Sequence, residues 1–407
     1  MQTWIPTSAP SHWRAARTES PSQGAILIIG ALAAVSVSAR AEGLPQADPL
    51  WVVDRASAAI VMNQPQGLTY DAVGDLVWVA DTGNHRIRVF DAEGMHVRSY
   101  DIQHPTSRGP IPGEPKALLV SREGFVFVLD AMTEHIQVLD LLGERVREVR
   151  PGALSGWTPP SAASNPEPAF AASRNFATGQ PVPTDETTRP VAMAFDPQEN
   201  LILAVGGTRG IILGLGADDQ VEWTLDGTED GGAPFGAISS LFVAADGSLF
   251  VTDMTGAAAV RVFDPERRQR LALGTHDVGN ENFSLPTSVV AASGRMWVAD
   301  AIRQTIKVFD LEGTLVGMVG GAGRGMGDLL YPAALATDGK NRLFTIERVG
   351  ARLSAFQMSV PGSIAEATNP GGRDSVAVEV GVDGLGGRTD ILAPEARRET
   401  NPPVPNK

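Results

Sequence analysis

The residues able to do chemistry in this 407-residue chain are few and oddly placed. Four aspartates, Asp81, Asp130, Asp253 and Asp300, each close an apolar segment, and Glu347 stands at an equivalent place. Carboxylates can act as general acids or bases, or hold a divalent cation. Their return at one position of a repeating pattern argues instead for turn and repeat-to-repeat hydrogen bonding. Cysteine is absent, which removes disulfides, thiolate zinc sites, iron–sulfur clusters, thiol nucleophiles and a lipidated cysteine. Six histidines remain for imidazole chemistry. There is no Gly-x-Ser-x-Gly, no His-Glu-x-x-His and no phosphate loop ending Gly-Lys-Ser/Thr. The glycine-rich stretch Gly320 to Gly327 looks phosphate-like but misses the dinucleotide spacing, and reads as a connector.

Short strands must position these residues. The clearest unit is Leu76 to Asp81, a polar loop Thr82 to Arg86, then Ile87 to Asp91. Its first strand ends recur at Asp81, Asp130, Gly206, Asp253, Asp300 and Glu347, separated by 49, 76, 47, 47 and 47 residues. The second landmark, at Phe90, Leu139, Leu215, Phe263, Phe309 and Phe356, follows 9 residues later in five copies and 10 in the fourth. A strand led by Pro65, Pro115, Pro190, Pro286 or Pro332 opens each copy, with Gly236-Ala237-Ile238 substituting in the fourth. Aspartate and glycine pairs such as Asp91/Gly94, Asp140/Gly143 and Asp310/Gly313 mark the tight turns. Each copy is therefore a four-stranded meander, and runs such as Met296-Trp297-Val298-Ala299 demand cover on both faces. Radial stacking supplies that cover and protects the edges. The fold class is all-β, a six-bladed β-propeller of four-stranded antiparallel blades. The segment from Leu50 to Met62 is expected to provide the outer strand that closes the sixth blade.

Outside the repeats, residues 1–41 match a secretory signal peptide: Arg14 and Arg17, an apolar run from Ala25 to Val37, then Ala39-Arg40-Ala41. The run is too short to span a bilayer, which needs about 20 residues. A periplasmic or extracellular location follows, with no stable membrane insertion after cleavage. Pro151 to Arg189 is rich in Pro, Ala, Ser and Thr and reads as an inserted loop within a propeller of residues 42–358. Residues 359–407 are expected to be mostly disordered. The whole chain carries 33 Lys and Arg against 47 Asp and Glu, a charge of −14. That balance disfavours nucleic acid and anionic membranes as partners.

The stretch Val79-Ala80-Asp81-Thr82-Gly83-Asn84-His85-Arg86-Ile87-Arg88-Val89-Phe90-Asp91, led by Pro65-Gln66-Gly67-Leu68 and closed by Gly94, closely resembles the NHL repeat. The resemblance extends over about residues 50–358. It implies a six-bladed propeller and several classes of function: protein-interaction or RNA-binding modules, exported bacterial proteins, and, more distantly, the lyase domain of peptidylglycine amidation. Likeness to that lyase would imply a zinc held by three histidines near the ring axis. Here the residue after each blade-opening proline is Gln66, Lys116, Val191, Thr287 or Ala333, and none is histidine. A second six-bladed group, similar to gluconolactonases, would imply a divalent cation on carboxylate and Asn ligands. Glu347 and Asn341 are the candidates, although Glu347 is also the sixth-copy equivalent of Asp81. No catalytic residue, metal ligand or cofactor is assigned.

In a four-stranded meander, the loops between second and third strands share one face with the blade-to-blade connectors. That face gathers the inserted loop, His85 and the arginines Arg86, Arg209, Arg303, Arg348 and Arg324. Guanidinium forks suit carboxylate or phosphate. The sequence thus points to an exported, non-catalytic binding or scaffolding propeller that takes a protein or peptide on this face. The alternative is a metal-dependent lyase or hydrolase with its site in the axial channel.

Overall fold

A computed structural model of the chain describes residues 47–54, 61–133, 135–150, 189–206 and 209–358. The expected signal peptide, residues 151–188 of the insertion and the C-terminal tail lie outside the described residues. Six antiparallel sheets of four strands each form the blades. Blade one runs Gly67–Asp71, Leu76–Asp81, Arg86–Asp91 and His96–Asp101. Blades two to five repeat this meander, ending at Val149, Leu225, Leu273 and Val319.

The strands bury according to their place in the blade. Second strands such as Leu201–Val205 and Leu249–Asp253 are buried along their whole length. The fourth strand Gln269–Leu273 alternates between half-buried and exposed, as expected of an edge with one face in water. Side chains from adjacent blades share one core. Ile202, Ala204 and Ile212 of blade three pack with Leu241, Leu249 and Val251 of blade four. Burial of this kind, at roughly 25 cal/mol per Å² of apolar surface, is what holds neighbouring blades together.

Turn chemistry follows the sequence expectation. Asp91 Oδ1 accepts the amides of Glu93 and Met95, and Gly94 takes φ +86°. Asp140 does the same for Leu142 and Glu144, with Gly143 at φ +84°. Beside each such turn in blades one to five, the pairing of third and fourth strands shifts register at the landmark Phe or Leu. A bulge there increases the local twist that a blade needs.

The sixth blade is closed from the N terminus. Arg352–Met358 pairs with Ala47–Val53, so the closing strand starts earlier than expected and ends at Val53. Trp51 Nε1 donates to the carbonyl of Ala92 in blade one at 3.0 Å. Tyr70 of blade one stacks on Phe344 of blade six with centroids 5.7 Å apart. Arg342 reaches from Asp338 (2.9 Å) to Asp75 of blade one (2.7 Å).

Blade four opens differently from the sequence reading. Ile238 pairs with Asp253 as Pro115 pairs with Asp130, so Ile238, not Gly236, occupies the blade-opening proline's position. Register is set by the pairing with the acid that ends the next strand, which the linear alignment of glycine and proline did not capture. In blade three Pro190 pairs with Val205, so the second strand ends at Val205 and not at Gly206, and an apolar residue stands where the other blades carry the acid; Gly206 follows at φ +106°, where a Cβ would lie 2.3 Å from the Arg209 carbonyl.

Candidate functional site

The recurring acids are buried, with Asp81, Asp253, Asp300 and Glu347 all at 0% exposure and Asp130 at 2%. Each accepts backbone amides from the connector that enters its blade or from its own turn. Asp81 takes the Asn63 amide (2.7 Å), Asp253 that of Gly236 (2.7 Å), Asp300 those of Ser284 and Leu285 (2.9 and 3.1 Å), and Glu347 that of Leu330 (2.8 Å). Asp130 accepts from Met132 at 2.7 Å. In blades one, four, five and six the carboxylate therefore latches the entering connector to its blade, whereas Asp130 braces its own turn.

Four buried cations accompany them that sequence reasoning did not single out: Arg88, Arg261, Lys307 and Arg352. Arg88 Nε meets Asp81 Oδ2 at 2.7 Å, and Arg352 Nη2 meets Glu347 Oε2 at 2.8 Å. Lys307 instead donates to the carbonyls of Asn280 and Asn282, and burial pushes its ammonium down to about 8. In blade two Gln137 takes the cation's position and donates to His104 Nδ1 at 2.7 Å, while His104 Nε2 lies 3.3 Å from Asp130. The signal was present in the sequence. Arg88, Gln137, Arg261 and Lys307 each stand two residues before the landmark Phe or Leu, inside strands otherwise apolar.

The first strands of all six blades line an axial cavity of about 320 Å³. Because each of these strands follows a connector, Gln66, Lys116, Val191, Ser239, Thr287 and Ala333 ring its connector-side mouth. Two of the hydroxyls there are turned to the next blade: Ser239 donates to Pro286 and Thr287 to Pro332, both at 2.8 Å. Lys116 is the one charged residue of the lining, which holds neither histidine nor carboxylate. A catalytic zinc or a hard divalent cation needs imidazole or several oxygen ligands, and this lining does not offer them. Among the described residues no three His, Cys, Asp or Glu come together as a metal-binding group.

The candidate surface residues separate into two kinds. His85 sits in the left-handed region (φ 59°) after the turn Thr82–Asn84, and its Nδ1 donates to the Gly113 carbonyl at 2.7 Å. Arg86 Nε lies 3.1 Å from Asp81. Arg303 donates to Ser284 Oγ, to the carbonyls of Gly279 and Asp277, and lies 3.5 Å from Asp300. These three tie loops to connectors. Arg209, Arg324 and Arg348 are exposed, and their side chains make no hydrogen bond or ion pair with another described residue. The structure brings two of them into one neighbourhood. The Arg348 amide donates to Tyr331, and Arg352, four residues on, donates to the Arg324 carbonyl. Arg209 stands apart, in blade three. Exposed Met326, Tyr331 and Val349 lie in the same two segments as Arg324 and Arg348.

Fold and site define a six-bladed β-propeller carrying the NHL motif. The NHL repeat pattern matches residues 62–90. No curated protein matches the chain. A protein of unknown function from Bacteroides thetaiotaomicron is similar in structure at 14% identity and TM-score 0.50, over 77% of this chain and 73% of its own. Streptogramin B lyase aligns at 13% identity and TM-score 0.47, over 77% of this chain and 97% of that one. The Cps50 (Swd1) β-propeller domain of Myceliophteria thermophila aligns at 13% and 0.45, over 72% and 84%. Similarity at this level concerns the fold, which hosts many functions.

Proposed function

We propose that the chain is an exported, non-catalytic binding or scaffolding propeller that recognises a protein or peptide partner through its connector face. One contrast carries this reading. The acids that could do chemistry are buried and hydrogen-bonded, whereas Arg209, Arg324 and Arg348 are exposed with no partner side chain among the described residues. Exposed cations on a protein of charge −14 favour an acidic ligand locally against the field of the whole molecule. The forked donors of guanidinium match carboxylates in particular. Export rests on the leader in residues 1–41. The metal-dependent alternative loses support from the lining of the axial cavity, which lacks a ligand set.

The test is mild cross-linking of the chain without residues 1–41 in its native envelope, followed by mass spectrometry. A stoichiometric partner whose capture fails when residues 153–186 are replaced by a short Gly-Ser linker supports the scaffold reading. Recovery of the chain alone contradicts it.

A further inference from the structure

Blade four differs from its neighbours in how its buried charges are arranged. The segment from Asp253 to Phe263 is one residue longer than its counterparts in blades one, two, five and six, the other blades that carry the acid. Its extra length folds back on the acid, so Thr255 and Gly256 donate their amides to Asp253 Oδ1 (3.1 and 2.8 Å) and Gly236 donates to Oδ2 (2.7 Å). The carboxylate is thereby occupied by backbone. Arg261, the buried cation of this blade, has no carboxylate within ion-pair distance among the described residues. Its Nη1 donates to the carbonyls of Gly227 (3.2 Å) and Ala233 (2.5 Å), and Nη2 to Pro234 (3.3 Å). The Nε hydrogen and the second Nη2 hydrogen have no acceptor among the described residues. Those two donors form the edge that Arg352 turns to Glu347 in blade six, at 3.0 and 2.8 Å.

The guanidinium is held in place. It lies over the Phe235 ring, 4.7 Å from the centroid. Gly227, at φ +88°, leaves it room, since a Cβ there would sit 2.5 Å from Nη1. Arg261 also lines a recess of about 320 Å³ with small and apolar residues such as Ala233, Ala258 and Leu273, together with Gln269 and Thr275. Small residues from the connector, the loop and the outer strand together keep this recess open on the connector face. A planar fork matches a carboxylate bidentately. Gln269 and Thr275 add neutral polar groups to the lining, and Arg261 is its one cation, so the charge of a carboxylate is matched and that of a phosphate dianion is not.

We propose that this recess in blade four binds a carboxylate borne on a short apolar body, with Arg261 as its charged floor. Two sources present that chemistry: a free short-chain carboxylate and the C terminus of a peptide ending in a small aliphatic residue. The proposal deepens the reading of the connector face as the binding surface and rests on it.

Propionate is titrated into the full chain by calorimetry at constant ionic strength. The expected result is saturable binding that is abolished by Ala258→Leu, which fills the recess, and weakened at least about tenfold by Arg261→Gln. Crystals soaked in 3-bromopropionate should show the bromine in the recess. Equal binding by all three proteins, or none by the wild type, overturns the proposal; the Ala258→Leu arm keeps the test valid if Arg261→Gln does not fold. A peptide ending in Ala-Ala that displaces propionate, while its C-terminal amide does not, identifies the peptide source. Propionate binding without such displacement supports the site and assigns it to free carboxylates. A captured partner that binds Ala258→Leu as well as wild type shows that the partner does not use this recess and leaves the connector-face reading standing.

Discussion

Arg88 Nε lies 2.7 Å from Asp81 Oδ2, with both side chains withdrawn from water between the second and third strands of blade one. The same carboxylate accepts the Asn63 amide, so one ion pair joins two strands to the connector that enters the blade. Removing one partner of a buried pair leaves the other uncompensated. Arg88→Met leaves Asp81 with Arg86 at 3.1 Å and is expected to cost up to about 3 kcal/mol in urea unfolding, and the double variant Asp81→Leu/Arg88→Met less than the sum of the two single changes. Additive effects would show that the two groups do not depend on each other.

Ring closure depends on a strand remote in sequence. Trp51 packs near Phe344 (centroids 6.0 Å apart) and bonds to Ala92 of blade one. Because it is half-buried, Trp51→Ala should lower stability by roughly 2 kcal/mol, somewhat less than a fully buried Trp. A chain beginning at residue 55 should lose cooperative unfolding, seen as broadened or split thermal transitions. An unchanged single transition would contradict closure by this strand.

Lys307 sets a pH dependence. Its ammonium is pushed down to about 8 by burial, whereas in the unfolded chain it titrates near the ordinary lysine value. Between pH 8 and about 10 the unfolded state binds more protons than the folded one, so stability rises with pH in that window. Above pH 10 Tyr70, held up to about 12, contributes the opposite slope. Chemical denaturation from pH 7 to 10 should show the rise in wild type and a flatter profile in Lys307→Met; parallel profiles would contradict the assignment.

Most of the architecture was legible because blades repeat. The regular separation of Asp81, Asp130, Asp253 and Asp300 located the second strands, and the turn pairs such as Asp91 and Gly94 located the hairpins. The start of blade four was misread because Ile238 carries the register there without proline. Function was less legible. Sequence placed Arg86, Arg209, Arg303, Arg324 and Arg348 on one face, and the distinction between them is tertiary. Arg303 reaches carbonyls 24 and 26 residues away, whereas the Arg348 side chain meets no partner among the described residues. The buried cations could have been found, since a charged residue inside an apolar strand, two before the landmark, recurs in Arg88, Arg261 and Lys307.

That distinction among the arginines is measurable. Arg303→Ala should destabilise by about 1–3 kcal/mol, because it leaves the Asp277 and Gly279 carbonyls without their donor. Arg348→Ala should stay within about 0.5 kcal/mol of wild type. Equal losses in thermal or urea unfolding would contradict the division into clamping and presented side chains.

The connector face is tested most directly by charge reversal on one side of the ring against the other. Arg324→Glu/Arg348→Glu changes that face, and Arg122→Glu/Lys340→Glu makes the same change in charge on the turns between first and second strands, at the opposite side. Binding of the cross-linked partner to each purified variant is measured at low and moderate salt. A loss of affinity confined to the Arg324/Arg348 variant, and largest at low salt, is the predicted result. Equal affinity for both variants, or a loss confined to Arg122/Lys340, would contradict recognition through the connector face.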